Sequence, residues 1–151
     1  MNRDHVPSPR VPAPGRPGPY DRSGPPGPPG ARELDRERSL ELLARAEVGR
    51  VVYTVGALPA VLPVPFRLAP GGVLVSAPAG SELARAVDGA VIAFEADEMD
   101  GRDGTGWFVT VLGRAQVRPA ARTAAPDGTD DPDGTVRIRI RPELVIGRCL
   151  S

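Results

Sequence analysis

The segment that decides the fold is residues 106–117, which read Gly-Trp-Phe-Val-Thr-Val-Leu-Gly-Arg-Ala-Gln-Val. Aromatic and β-branched residues dominate its first half, and these residue types favour strands. An acidic stretch, residues 97–105, comes before it, and a second apolar run, residues 90–96, comes before that stretch. Two apolar runs joined by a polar loop predict a pair of antiparallel strands.

Further strands are predicted on both sides of this pair, at residues 50–55, 60–68, 73–77 and 135–141. Turn-forming Gly and Pro residues separate them. The last run alternates between aliphatic residues and arginines, as a strand with two different faces does. Six strands with no regular alternation of strand and helix predict a mainly β protein, an antiparallel barrel that is closed or partly open.

Two short helices accompany these strands. Asp35 is placed to cap the first, in which Leu40, Leu43, Ala44 and Val48 recur at three- and four-residue steps. Gly49 is expected to end this helix. The second is expected over residues 82–87, with Ser81 as its N-cap.

The N-terminal part differs in composition from the rest of the chain. Residues 1–31 contain ten of the 19 prolines and few large apolar side chains. Such a stretch buries too little apolar surface to offset the entropy lost on ordering it. We therefore expect a disordered Pro/Gly/Arg-rich tail over residues 1–31 and one folded domain over residues 32–151.

Several classes of site are excluded by residue types that the chain lacks. It has no lysine, its one histidine is His5 in the N-terminal tail, and its one cysteine is Cys149. A Ser-His-Asp triad, a lysine Schiff base and a histidine- or cysteine-based metal centre are therefore excluded from the folded domain. The sequence predicts no catalytic side chain and no metal site.

Charge and hydropathy indicate where the protein acts. The net charge is zero, and no run approaches the ~20 apolar residues that span a bilayer. We expect a cytoplasmic protein that binds neither nucleic acid nor membranes. Arg137, Arg139 and Arg141 are interpreted as a solvated face, with binding of phosphate or nucleic acid as the alternative. Trp107 is interpreted either as part of the core or a dimer seam, or as a platform for a flat ligand.

A set of short segments resembles the pyridoxamine-phosphate-oxidase-like family of flavin-binding split barrels. In family order they are Leu42-Leu43, Val48-Gly49-Arg50, Leu58-Pro59, Leu62-Pro63-Val64, Gly80-Ser81, Phe94-Glu95-Ala96-Asp97 with Asp100, Gly106-Trp107, Gly113-Arg114-Ala115 and Val145-Ile146-Gly147-Arg148. Each segment is weak alone, but the ordered set is specific for the fold. It covers about residues 34 to 150.

The resemblance implies a six-stranded split barrel that forms a homodimer, with FMN held at the subunit interface. The flavin supplies the redox chemistry in such proteins, and the protein supplies binding and electrostatics. The small-molecule substrate remains unknown. The resemblance places the cofactor-binding residues at Pro63, Val64, Phe66, Ser76, Ala77, Gly80, Ser81, Glu82 and Trp107.

The sequence departs from the family where the flavin phosphate should be held. The family ends its third strand with Arg-Thr and follows it with Gly-Ser-Lys; the matching positions here are Ser76, Ala77, Gly80, Ser81 and Glu82. Ser76 and Glu82 thus stand where the family pattern has an arginine and a lysine. Because a phosphate carries about two negative charges, Glu82 should repel it.

Two more departures concern the ring end of the pocket. Phe108 replaces a serine of the family pattern, and Pro65 replaces an asparagine and removes a backbone donor. Arg67, Arg85 or an arginine of a partner subunit could compensate for the lost cations.

Three hypotheses follow. The first is an FMN-binding oxidoreductase-like protein that works by hydride or electron transfer through the flavin. The second is a paralogue that has lost FMN and acts as a non-catalytic, dimeric binding module. The third is a split barrel that binds haem or another ligand without a phosphate.

Overall fold

The computed structural model describes residues 27–120 and 134–151. Most of the N-terminal tail, residues 1–26, lies outside the described residues, so its predicted disorder stays a prediction. The described residues form nine strands and two helices. In chain order these are β1 (Ala31–Leu34), α1 (Arg36–Arg45), β2 (Val48–Val55), β3 (Leu58–Pro65), β4 (Arg67–Ala69), β5 (Gly72–Pro78), α2 (Glu82–Val87), β6 (Val91–Met99), β7 (Gly106–Pro119), β8 (Thr135–Ile140) and β9 (Leu144–Leu150).

All the strands pair antiparallel in one continuous sheet. Its order is β3-β2-β6-β7-β8-β5-β4, and β9 pairs with both β7 and β1. The sheet curves but does not close, because β3 and β4 stand at its two ends. A mainly β, antiparallel, open barrel with two helices confirms the predicted fold class.

β7 joins the two halves of the barrel. Its first part, from Gly106 to Arg114, pairs with β6 on one edge, and residues 106–112 pair with β9 on the other. Its last part, from Ala115 to Pro119, pairs instead with β8. The change of partner occurs at Gly113, where a Cβ atom would overlap the carbonyl of Arg141 in the turn between β8 and β9. Glycine therefore lets that turn lie directly on the strand.

The structure adds three strands to the six predicted. The predicted strand 60–68 is divided at Phe66, which lies between β3 and the short β4. The β1 and β9 strands pair with each other, and β9 also pairs with β7. Local pattern did not reveal them because both are stabilised by pairing with strands distant in the sequence.

The first helix is shorter than predicted. Asp35 caps it as expected, since its carboxylate accepts a hydrogen bond from the Arg38 amide at 2.8 Å. The helix ends at Arg45, however, and Ala46 is already extended. Val48, assigned to the apolar face of the helix, instead begins β2 and is exposed, and Gly49 lies within that strand. Pairing of β2 with β3 overrides the helical spacing.

The core lies inside the curved sheet. Alternate residues of each strand point inward, and α1 and α2 cover the ends. The largest fully buried side chain is Phe94, which meets Phe66 edge to face at 4.6 Å between ring centroids. Fully buried aliphatic side chains surround them: Leu43, Val51, Val73, Val75, Val87, Val109, Val111, Ile138 and Ile140.

We predict that Gly113→Ala lowers the free energy of unfolding by at least about 2 kcal/mol, because the new methyl group must displace the Arg141 carbonyl. Gly101→Ala is the control, since nothing lies within 4 Å of a Cβ at that position. It should change stability by less than about 0.5 kcal/mol. Urea unfolding followed by fluorescence measures both. Equal effects of the two substitutions would contradict the role given to Gly113.

Candidate functional site

The open side of the barrel lies between β3 and β5. β5 pairs with β8 along residues 73–78, but it pairs with β4 only from Gly72 to Leu74. Beyond Leu74 that edge of β5 has no strand partner among the described residues. β3 stands at the other end of the sheet. Among residues 27–120 and 134–151 it pairs only with β2. The barrel is split at this place.

A cleft of about 330 Å³ occupies the split. This volume lies at the lower end of the ~300–1,000 Å³ that is usual for small-molecule sites. Its walls are mainly apolar, with a few polar groups at one side. It is lined by Tyr53, Leu62, Val64, Ser76, Ala77, Pro78, Ser81, Glu82 and Leu83.

The start of the short helix α2 brings two polar residues, Ser81 and Glu82, to the cleft. Ser81 caps it, and the Ser81 hydroxyl accepts a hydrogen bond from the Ala84 amide at 3.2 Å. Leu83, Ala84 and Val87 are buried and hold the helix against the barrel. Glu82 is consequently fixed at the cleft with its side chain exposed.

Five of the nine predicted cofactor-binding residues come together in this cleft. They are Val64, Ser76, Ala77, Ser81 and Glu82. They come from β3, β5 and the start of α2, which are separated in sequence and meet only where the barrel is split.

The other four predicted residues lie elsewhere or beside the cleft. Pro63 is exposed and pairs with Arg50 of β2. Phe66 contacts Phe94 and the core. Gly80, with φ of +74°, forms the turn that precedes Ser81. Trp107 packs against the core near the start of β7, which favours the core interpretation over a ligand platform.

The departures from the family pattern are spread over several places. Glu82 and Ser76 are in the cleft, but Phe108 is in register with Asp97 and Arg148 on the sheet. Arg85 lines a neighbouring groove of about 290 Å³ together with Glu82. Arg67, on β4, pairs with Leu74 of β5 and does not line the cleft.

Sequence reasoning missed Tyr53 and Leu62, which form part of the apolar wall. Tyr53 points inward from β2 and is buried, while Leu62 lies on β3 at the mouth. Tyr53 and Leu62 both occupy inward-facing positions of their strands. Tyr53 lies two residues after the buried Val51 on β2, and Val51 is the cross-strand partner of Leu62. The alternation of the sequence indicates which residues face inward. It does not indicate which strand edges lie beside the split.

The acidic residues on and after β6 form ion pairs and hydrogen bonds within the domain. Arg50 contacts the carboxylates of Glu95 at 3.0 Å and Asp97 at 3.2 Å. Burial raises the pKa of Glu95, and the neighbouring Asp97 raises it further. Asp103 accepts hydrogen bonds from Thr105 in the β6–β7 loop. In residues 27–120 and 134–151, no three His, Cys, Asp or Glu side chains are grouped to hold a metal ion.

Comparison with known proteins settles the family. A family model for pyridoxamine 5'-phosphate oxidase matches residues 35–148. The chain belongs to this family. An uncharacterized protein of Mycobacterium tuberculosis is 39% identical over 127 residues, which is 76% of this chain and 82% of that protein.

Solved structures of FAD-binding proteins share the fold. An FAD-binding protein of Mycobacterium smegmatis is 26% identical with a TM-score of 0.62, over 80% of this chain and 99% of that one. An FAD-binding protein of Mesorhizobium loti is 22% identical with a TM-score of 0.63, over 80% and 97% of the two chains. Solved structures that share this fold thus include flavin-binding proteins. In the described part of this member, neither helix is long and apolar enough to cross a membrane.

We predict that Ser81→Ala lowers the free energy of unfolding by about 1 kcal/mol, because the Ala84 amide loses its capping acceptor. Ser81→Thr keeps a hydroxyl at the position and is the matched control. Thermal unfolding of the two variants measures the difference. If Ser81→Thr proves as destabilising as Ser81→Ala, the cap does not hold α2 in place.

Proposed function

We propose that this protein binds a flavin nucleotide in the cleft between β3 and β5, with the isoalloxazine ring against the apolar wall. One observation carries the proposal: the split of the barrel collects five residues that the family resemblance had separately assigned to the flavin. The FAD-binding relative from Mycobacterium smegmatis, at 26% identity, supports the same cofactor class.

The composition of the cleft fits the ring part of a flavin. Isoalloxazine is flat and largely apolar, and Leu62, Val64, Ala77 and Leu83 offer an apolar surface that it could cover. Tyr53 adds an aromatic side chain to the same wall. Aromatic side chains pack favourably against flat ring systems.

A bound flavin would supply hydride or electron transfer. The residues of the cleft would bind the ring, orient it and exclude water from one of its faces. None of them is a histidine, cysteine or lysine. We therefore propose an oxidoreductase-like protein in which the flavin, and not a histidine, cysteine or lysine of the cleft, carries the chemistry.

One feature of the cleft favours a second function. Glu82 stands where a cation would assist a phosphate, so a nucleotide entering from the side of α2 meets a carboxylate. A dimeric binding module that has lost the flavin is therefore the alternative. A purified protein that is colourless and does not bind added riboflavin, FMN or FAD would support this alternative.

We also propose that the protein is a homodimer. Val48, Val61 and Val91 are 58%, 59% and 60% exposed, and all three lie on the outer face of β2, β3 and β6. Exposed large apolar side chains on one face of a sheet are typical of a protein–protein interface. On this face Arg50, with its ion pairs to Glu95 and Asp97, lies between Val48 and Val91. A dimer through this face would cover the three valines.

We expect Leu62→Gln to weaken riboflavin binding about fivefold, because about 1 kcal/mol of apolar contact is lost from the cleft wall. Leu58→Gln is the matched control, since Leu58 lies on the same strand but is 71% exposed and does not line the cleft. Quenching of flavin fluorescence during titration measures both affinities. Unchanged binding to the Leu62 variant, or equal loss in the control, would place the flavin elsewhere.

We expect Val61→Arg to convert the dimer to a monomer, because a charge would then be buried at the interface. Arg32→Glu, a charge change on the exposed β1 strand, is the control. Sedimentation velocity measures the mass of each variant. A Val61→Arg protein that sediments with the same mass as the parent would exclude this face as the interface.

A further inference from the structure

Two arginines stand in line with Ser76, the residue at the edge of the cleft. On β8, Arg137 is the cross-strand partner of Ser76, and on β7, Arg118 is the partner of Arg137. Residues that face each other across antiparallel strands share one side of the sheet, with Cβ atoms about 4.5–5.5 Å apart. Ser76 is exposed, between the buried Val75 and Ala77, so this row lies on the outer side.

The arginines form a small site of their own beside the cleft. Arg118, Arg137 and Arg139 surround a hollow of about 160 Å³, with Leu74 and Pro119 as its apolar part. Leu74 is only 9% exposed although it points outward, in keeping with arginine stems that cover apolar surface. The three arginines therefore line one hollow that has an apolar floor.

The arginines of this hollow differ in what they already do. Arg139 donates a hydrogen bond to the Pro70 carbonyl at 2.6 Å and thereby holds the β4–β5 turn. Arg118 donates to the Val117 carbonyl at 3.5 Å, which is long for a hydrogen bond. Arg118 can therefore turn toward an anion at little cost, whereas Arg139 has a structural role.

The charge that a phosphate would meet differs between the two sides of the cleft. On the side of α2 it meets Glu82, and past Ser76 it meets Arg137 and Arg118. Guanidinium groups match phosphate oxygens in geometry and charge. The second direction is the favourable one.

We propose that Arg137 and Arg118 bind the phosphate of the flavin nucleotide, reached past Ser76 from the ring cleft. This inference rests on the proposed flavin function and names the cations that replace those missing at positions 76 and 82. The same chemistry serves the phosphate of FMN and the diphosphate of FAD.

The test compares riboflavin, FMN and FAD as ligands of the full-length protein and of Arg137→Gln, Arg118→Gln and Arg102→Gln. Arg102, in the β6–β7 loop far along β7 from Arg118, is the control for loss of one positive charge. We expect the parent to bind FMN at least tenfold more tightly than riboflavin. Arg137→Gln and Arg118→Gln should each reduce FMN affinity about tenfold while leaving riboflavin affinity unchanged.

The ligands separate the possible results. Equal losses for FMN and FAD support contact with the phosphate next to the ribityl chain, and a loss confined to FAD supports contact with its second phosphate. Suppose that riboflavin binds, and that the affinities for FMN and for FAD, each relative to riboflavin, are the same in the two variants as in the parent. The inference is then overturned, while the flavin function stands. If no flavin binds the parent, the proposed function itself fails, and this inference with it. Thermal unfolding shows whether each variant is folded.

Discussion

The fold depends on one long strand that changes its partner part-way along. β7 pairs with β6 and β9 over its first part and with β8 over its last, and the change is possible because Gly113 admits the Arg141 carbonyl against the strand. A side chain there would push the β8–β9 turn away. Without that close contact, β8 and β9 could not both pair with β7.

The same arrangement creates the candidate site. Because β7 directs one group of strands toward β3 and the other toward β4, the free edge of β3 faces the part of β5 beyond Leu74. A barrel that closed here would satisfy both edges but would leave no space for a ligand. The cleft is thus a consequence of incomplete closure, and α2 covers one end of it with Ser81 and Glu82. The chemistry would then reside in the bound cofactor, and the specificity in the charges around the mouth.

Sequence reasoning reached the fold class and the β6–β7 pair, because their alternation is strong and their partners are close in sequence. It failed for β1 and β9, whose pairing is set by contacts across more than 100 residues. It placed Val48 in a helix, since helical spacing and strand pairing compete for the same residues there. For the site, the family pattern found Ser76 and Glu82, but the position of Arg137 opposite Ser76 depends on strand register, which the alternation alone does not fix.

We propose that the flavin ring binds in the split between β3 and β5. The most direct measurement is a crystal structure of the protein grown with FMN. We predict electron density for the ring between Val64 and Ala77, with the ribityl chain directed past Ser76. Density for the ring on any other surface, or a cleft closed by direct contact of β3 with β5, would contradict the account.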